Sequence, residues 1–371
     1  MSEIRERKID KFFLTTVIIL ICLGMAMFIS ASLGFLTRNE KTFYSVLFTQ
    51  LVLGLGMGLV GMYFTYKIDY KFWRKYSLYV FLGSIAITAL VFVPHLGWTH
   101  GGATRWIKLG PLGTFQPVEL LKFGFIVYFA AWLSWVKNKV KDFKFSILPL
   151  VVMLSVIALV LLKQPDTKSL ILIIITGLAM IFFANVPMKY IFGLVFGSVI
   201  LFGILIFYTP YLQKRVSTFI DPSNDPQGSS YQIQQSLVAI GSGGIFGRGY
   251  GQSVQKFNYL PEPQGDSIFA VLGEELGLIG TILTILLYSF FALRGLRIAN
   301  RSPDLFSRLL VCGIVILITA QSFMNIASIT GVFPLTGVPL VFMSQGGTSL
   351  MIYLIALGVV LQISKYQRKS E

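Results

Sequence analysis

Few ionisable side chains stand within or beside the apolar runs of this 371-residue chain, so each is a candidate for chemistry. The most informative is Asp266. It lies in NYLPEPQGDSIFAVLGEELGLIG, residues 258–280, with Gly265 before it and the run SIFAVL after it. A carboxylate at a bilayer boundary is costly to keep, which points to function. The alternative is an N-cap, whose oxygens satisfy free backbone donors of the helix that begins there.

The other candidates fall into pairs. Glu119 and Lys122 sit three apart in PVELLKF and share a helix face, either as a structural ion pair or as a cation held for an anionic ligand. In the second role Lys122 is expected to matter more for activity than for folding. Asp166, between Lys163 and Lys168 in LLKQPDTKSL, stands where Pro165 ends a helix and reads as turn and cap chemistry. Glu274 and Glu275 follow Asp266 roughly 12–13 Å deeper along a helix at 1.5 Å per residue, pointing about 100° apart. They do not form a two-carboxylate hydrolase pair with it. His95 and His100 have no ligand partners at metal spacing, which argues against a zinc site and a His-based triad. What remains is one outward-facing carboxylate, the cations Arg105, Lys108, Lys122, Arg215, Arg248 and Lys256 on the same side, and broad apolar surface. That set suits an amphiphile whose anionic head is held beside a base.

The elements that must position these groups are apolar helices. With 55% hydrophobic and 13% charged residues, the chain is too apolar for a soluble domain. Ten apolar runs, near residues 12–36, 44–66, 76–96, 117–136, 145–162, 169–186, 190–208, 267–293, 309–329 and 340–364, each approach the roughly 20 residues that cross a bilayer. The expected fold is an all-α integral membrane protein of ten transmembrane helices, a single polytopic domain over residues 1–371. The net charge of +15 does not indicate nucleic acid, because Lys and Arg cluster between the runs, as at Lys67, Lys71, Arg74, Lys75 and at Lys137, Lys139, Lys141, Lys144. Those clusters place both termini in the cytoplasm. The first run has basic flanks like a signal peptide, but it is long and ends in no clear cleavage site, so it reads as a retained span. Cys22 and Cys312 lie within spans and suggest no disulfide framework.

Two outer segments stand out. Residues 96–116, LGWTHGGATRWIKLGPLGTFQ, suit a re-entrant or interfacial piece, and residues 210–265 form a large extracytoplasmic loop between the seventh and eighth helices. A loop of that length is functional or disordered. SYQIQQSLVAI spaces its apolar residues at helical intervals, against disorder, while GSGGIFGRGYG reads as a flexible connection and is weak as a phosphate cradle.

On these stretches the chain resembles the SEDS family (shape, elongation, division and sporulation), with its FtsW and RodA branches. GGATRWIKLGPLGTFQPVELLKF, KQPDTKSLILIIITGLAMIFFANVPMKYI, RVSTFIDPSNDPQGSSYQIQQSLVAIGSGG, GRGYGQSVQKFNYLPEPQGDSIFAVLGEELGLIG and TGVFPLTGVPLVFMSQGGTSLMIYL carry the likeness in order, and SVQKFNYLPE leans towards FtsW. The chain departs from the family pattern at Thr104, at Val118, at Thr167-Lys168-Ser169 where LeuGlyThr usually follows QPD, and around Asp266, where HisThrAspPhe is usual. The resemblance implies a peptidoglycan glycosyltransferase in the bacterial cytoplasmic membrane, polymerising lipid II on its outer face beside a class B penicillin-binding protein transpeptidase. It makes Asp266 the essential acid. Arg105, Lys122 and Arg215 are then expected to meet phosphate, with Glu119 holding Lys122 and Gln235 joining the substrate contacts. No cofactor is required by the sequence, and a divalent cation (Mg or Mn) at Asp266 is compatible with it. A lipid II flippase and a non-catalytic scaffold for the transpeptidase are the competing readings.

Overall fold

The structure, a computed structural model, describes residues 4–6, 8–36, 39–100, 103–110, 113–221 and 228–368. Arg7, Lys369 and residues 222–227 of the long outer loop lie outside them. The first apolar run forms α1 (Lys11–Leu36). The second is one rod, Glu40–Lys67, in which α2 (Glu40–Phe48) and α3 (Met57–Lys67) are joined by π-helical turns over Thr49–Gly56. A short α4 (Tyr70–Lys75), capped by Asp69, leads into α5 (Ser77–Ala89). α6 (Pro117–Val136) opens on a proline, whose missing N–H would have been unpaired there in any case. α7 (Phe143–Lys163), α8 (Thr167–Phe183) and α9 (Met188–Tyr208) follow. The long outer segment contains α10 (Pro210–Ile220) and α11 (Ser229–Ser242), the second being the expected SYQIQQSLVAI helix. α12 (Ile268–Asn300), α13 (Leu305–Ile329) and α14 (Gly347–Ile363) complete the helices.

Among the described residues, seven stretches are long and apolar enough to cross a membrane, and three shorter apolar helices, Ser77–Phe92, Thr167–Phe183 and Gly347–Ile363, fall on the remaining runs. The chain is a mostly helical, multi-pass integral membrane protein. α13 and α6 are central, with 78% and 72% of their apolar windows buried, whereas α9 buries 6% and leaves Phe192, Phe196 and Val199 for lipid.

Beside the helices that dominate the chain, the strands β1 (Ile4–Glu6), β2 (Gly97–His100), β3 (Ala103–Lys108), β4 (Thr114–Phe115) and β5 (Tyr366–Arg368) build two small antiparallel sheets among the described residues. The segment expected to be re-entrant or interfacial is the sheet β2-β3-β4, with Trp98 opposite Trp106, and the β1–β5 pair brings the two ends of the chain together. The last helix begins at Gly347 rather than near residue 340. Before it, Gln50 from the π-helical turns takes the Gly346 N–H at 2.9 Å and donates to the Ser344 carbonyl at 3.1 Å, holding residues 340–346 as turns.

The feature that shapes the Asp266 end of the bundle is a break in α12. Gly277 takes φ +68° and ψ −165°, so the helix stops and restarts. The glycine-rich run docks into the break. Arg248 and Gly249 N–H groups donate to the Glu274 and Glu275 carbonyls at 3.0 Å each, and Leu278 N–H donates to the Gly244 carbonyl at 2.9 Å. A side chain on Gly247 or Gly277 would drive a Cβ into the other strand of this contact, so glycine is required at both. The carboxylates of the same two glutamates point back at the loop and are fully buried. Glu274 accepts from Ser253 Oγ at 2.6 Å and Val254 N at 3.0 Å. Glu275 accepts from Ser30 Oγ at 2.6 Å and Gly251 N at 2.9 Å, and pairs with Lys256 Nζ at 2.8 Å.

Removing one partner of this pair leaves an uncompensated buried charge. Lys256→Met should lower stability by about 3–5 kcal/mol, and adding Glu275→Leu should recover most of it. Thermal unfolding of the purified proteins in detergent measures both.

Candidate functional site

Asp266 occupies the turn immediately before α12. Three successive carbonyls fix it: Gln345 N–H donates to Gln264 O at 2.7 Å, Ser344 Oγ to Gly265 O at 2.7 Å, and Asn325 Nδ2 to Asp266 O at 2.7 Å. Asn325, buried in α13, also donates to Val338 O at 2.7 Å, and Gln232 of α11 reaches Ser267 Oγ at 2.9 Å. The backbone is therefore clamped by α11, α13 and the α13–α14 loop.

The side chain is not. Ser267 is the N-cap of α12, with no side-chain cap bond, so the capping alternative fails. Among the described residues, no hydrogen bond and no cation within 4.0 Å engages the half-buried Asp266 carboxylate. What faces it is Gly337, where a Cβ would stand 3.0 Å from Asp266 Oδ2, 3.6 Å from an Arg215 terminal nitrogen and 3.8 Å from Lys168 Nζ. Gly337 has φ +65°, a conformation that glycine adopts without strain. An acid and two cations thus converge on one backbone position.

Arg215 rises from α10, stacks on Tyr211 at 4.4 Å and donates to Leu335 O at 2.6 Å. Burial pulls its pKa below the ordinary guanidinium value. The Arg105 charge acts in the same direction, while Tyr211 and the Asp266 charge oppose it. Arg105 on β3 therefore shares this field. It binds the carbonyls of Gln164 and Pro165, and Asp166 caps α8 through Ser169 as the sequence suggested.

Lys122 differs. It is 2% exposed, with Glu119 Oε2 at 2.7 Å, the Tyr353 hydroxyl at 2.9 Å and Gln321 Oε1 at 3.0 Å. Three acceptors match the three N–H bonds of an ammonium, so the geometry favours the structural ion pair over a phosphate partner. Gln321 in turn donates to Pro339 O at 3.2 Å, so this buried cluster supports the loop that carries Gly337. Lys256 is consumed likewise by Ser30, Gly251 and Glu275. Gln235 is half-buried on α11, one turn after Gln232, the residue that reaches the Asp266 turn.

Sequence reasoning passed over Lys168, Asn325 and Gly337 as site residues. The signals were a lysine at the mouth of an apolar run and an asparagine inside one, both costly in a membrane without a partner. Gly337 gave no signal beyond being one glycine among many.

The sequence pattern of the FtsW, RodA and SpoVE family, described as "Cell cycle protein", matches residues 10–369. The chain belongs to this family. Among the family's curated members, "Probable peptidoglycan glycosyltransferase FtsW" of Geobacter sp. (strain M18) is 38% identical over 361 residues, 97% of this chain and 97% of that protein. "Stage V sporulation protein E" of Bacillus subtilis (strain 168) is 37% identical, covering 97% and 98%. Among solved structures, a chain from "Structural coordination of polymerization and crosslinking by a peptidoglycan synthase complex" superposes with a TM-score of 0.78 at 25% identity, covering 96% of this chain and 97% of that one.

Two substitutions test this anatomy. Lys122→Met should lower stability by about 3–5 kcal/mol and activity with it; activity lost at an unchanged melting temperature would instead put the ammonium on substrate. Gly337→Ala strains the backbone and crowds Asp266, and should cost on the order of 100-fold in activity through misplacement. Its melting temperature should fall by far less than that of Lys122→Met.

Proposed function

We propose that this chain is a lipid II polymerase acting at the outer face of the bacterial cytoplasmic membrane, with Asp266 as general base. Its relatives at 37–38% identity over nearly the whole chain carry the names FtsW and stage V sporulation protein E, and the enzyme class is peptidoglycan glycosyltransferase. The observation that carries the catalytic assignment is the Asp266 carboxylate itself. Its backbone is held by three donors, yet its oxygens are left free beside cations.

In the reaction, the acceptor hydroxyl oxygen forms a bond to the donor sugar carbon, and the bond from that carbon to the pyrophosphate oxygen breaks. The hydroxyl proton passes to Asp266, and the electron pair leaves with the lipid pyrophosphate. Pyrophosphate is already a good leaving group, so one positioned base and preorganised positive charge suffice. Arg215 and Arg105 supply that charge, and Gln235 lies on the helix that borders the site. Glu119 and Lys122 act from behind, through Gln321 and the Gly337 loop.

Asp266 is also the carboxylate that would hold a divalent cation against the pyrophosphate, where the ion would add Lewis-acid charge. The donor set at Gly337, one carboxylate among cations, fits an anion better than a metal, and among the described residues no three His, Cys, Asp or Glu gather.

The seven long and three shorter apolar helices are read as ten spans, with the paired ends of the chain in the cytoplasm beside the basic clusters. That orientation puts Asp266, α10 and α11 on the outer side. A neighbour described within a complex coordinating polymerization and crosslinking supports a class B penicillin-binding protein as partner.

Purified protein with its cognate transpeptidase should convert lipid II into glycan ladders on a gel, and Asp266→Asn, folded and inserted, should give none. Near-normal ladders from the mutant would remove Asp266 from the chemistry. Ladders from neither would move the assignment to lipid translocation or a scaffold.

A further inference from the structure

We infer that Lys168 is a pyrophosphate-binding residue of this enzyme, completing with Arg215 a two-cation clamp opposite Asp266; the inference rests on the lipid II reading above. Three observations meet in it. The residue stands on the first turn of α8, directly after a turn that is fixed on every side. Gln164 Nε2 donates to Thr88 O at 3.0 Å, Arg105 binds the Gln164 and Pro165 carbonyls, and the fully buried Asp166 caps the helix through Ser169. Lys168 is thus presented from a rigid base, which reduces the ordering needed when a ligand arrives.

Its ammonium lies beside the same glycine that faces Asp266 and Arg215. Its three N–H donors are mostly unspent. Among the described residues one of them has a protein acceptor, the Gly337 carbonyl, and the side chain is half-buried rather than sealed. Lys122 and Lys256, by contrast, are buried with three acceptors each. A cation left with two free donors, next to a second cation and an unpaired carboxylate, is arranged for an anion arriving from outside.

The chemistry follows from charge. When the sugar carbon–oxygen bond breaks, the lipid pyrophosphate gains negative charge on the departing oxygen. An ammonium already in place strengthens its hydrogen bonds as that charge develops, with little reorganisation. Lys168 should therefore affect both the holding of pyrophosphate and turnover.

The test uses full-length protein in nanodiscs, with wild type, Lys168→Met, Lys168→Gln and Lys168→Arg compared. The readouts are kcat and KM for lipid II polymerisation, the Kd for undecaprenyl pyrophosphate, and the melting temperature. Lys168→Met should lower kcat/KM by about 10- to 100-fold and weaken undecaprenyl pyrophosphate more than undecaprenyl monophosphate, while Lys168→Arg restores both. Lys168→Gln keeps a donor for the Gly337 carbonyl but not the charge, and should behave like Lys168→Met. If Lys168→Gln binds and polymerises like wild type, the lysine is only a tether and the proposal falls, whatever happens to the melting temperature of Lys168→Met. If wild type neither polymerises lipid II nor binds undecaprenyl pyrophosphate, the functional reading falls and takes this inference with it. Polymerisation by wild type with unchanged kinetics in all three variants removes Lys168 alone.

Discussion

The mouth of α12, where Asp266 sits, depends on one break in that helix. At Gly277 α12 gives up its own hydrogen bonds, and the carbonyls of Glu274 and Glu275 are taken over by backbone N–H groups of the 243–249 loop. In a membrane protein such a break survives only where other groups satisfy the freed backbone. Here the loop satisfies the helix, and the helix, through its two buried carboxylates, satisfies the loop. The first half of α12 becomes a short, anchored piece with Asp266 at its mouth. Asp266 is thereby tied from two directions, by this anchor and by the donors of α13 and the α13–α14 loop.

A second layer of buried polar groups carries this order to the opposite wall. Gln50 secures residues 344–346, Gln321 and Asn325 secure residues 338–339, and the Lys122–Glu119–Tyr353 cluster stands behind Gln321. Each is expensive in an apolar interior unless paired; the Gln50 and Gln321 amides, the Asn325 Nδ2 and the Lys122 ammonium are paired, while Asn325 Oδ1 is buried with no hydrogen-bond partner among the described residues. The α13–α14 loop is thereby held against the Asp266 turn through Ser344 and Gln345. Both walls of the site are built from backbone whose carbonyls are already spoken for, which leaves the side chains of Asp266, Arg215 and Lys168 as the adaptable chemistry.

Much of this was legible in the sequence, for reasons that can be named. Asp266 announced itself because a charge beside an apolar run is costly, and the helices because apolar runs near bilayer length have few other uses. Asp166 read correctly as a cap from the proline before it. What stayed hidden depended on contacts between distant segments. The glycines at 247 and 277 looked like loop filler and an incidental helix residue; their meaning is a backbone approach that only the fold creates. The residues before Gly347 are apolar enough to read as helix, yet Gln50 and Ser344 hold them as turns. The sheet at residues 97–115 was obscured by glycines and prolines that suit an interfacial loop equally well. For Lys122, spacing showed that Glu119 could reach it but not that Gln321 and Tyr353 would take its remaining donors, the geometry that favours the structural ion pair of the two readings.

That last case separates the roles of like residues. Lys122, Lys256 and Lys168 are all lysines close to apolar runs, and charge or nearness to such a run does not distinguish them. Counting donors does. An ammonium has three N–H bonds, and where the protein fills all three and excludes solvent, the group holds structure together and has nothing to offer a substrate. Where one is filled and the side chain is only half-buried, the fold has oriented the group without consuming it. The same count applies to Asp266, whose backbone carbonyl is engaged and whose carboxylate, among the described residues, is not. In this protein the groups available for chemistry are the ones whose surroundings fix the main chain and leave the polar tip unsatisfied.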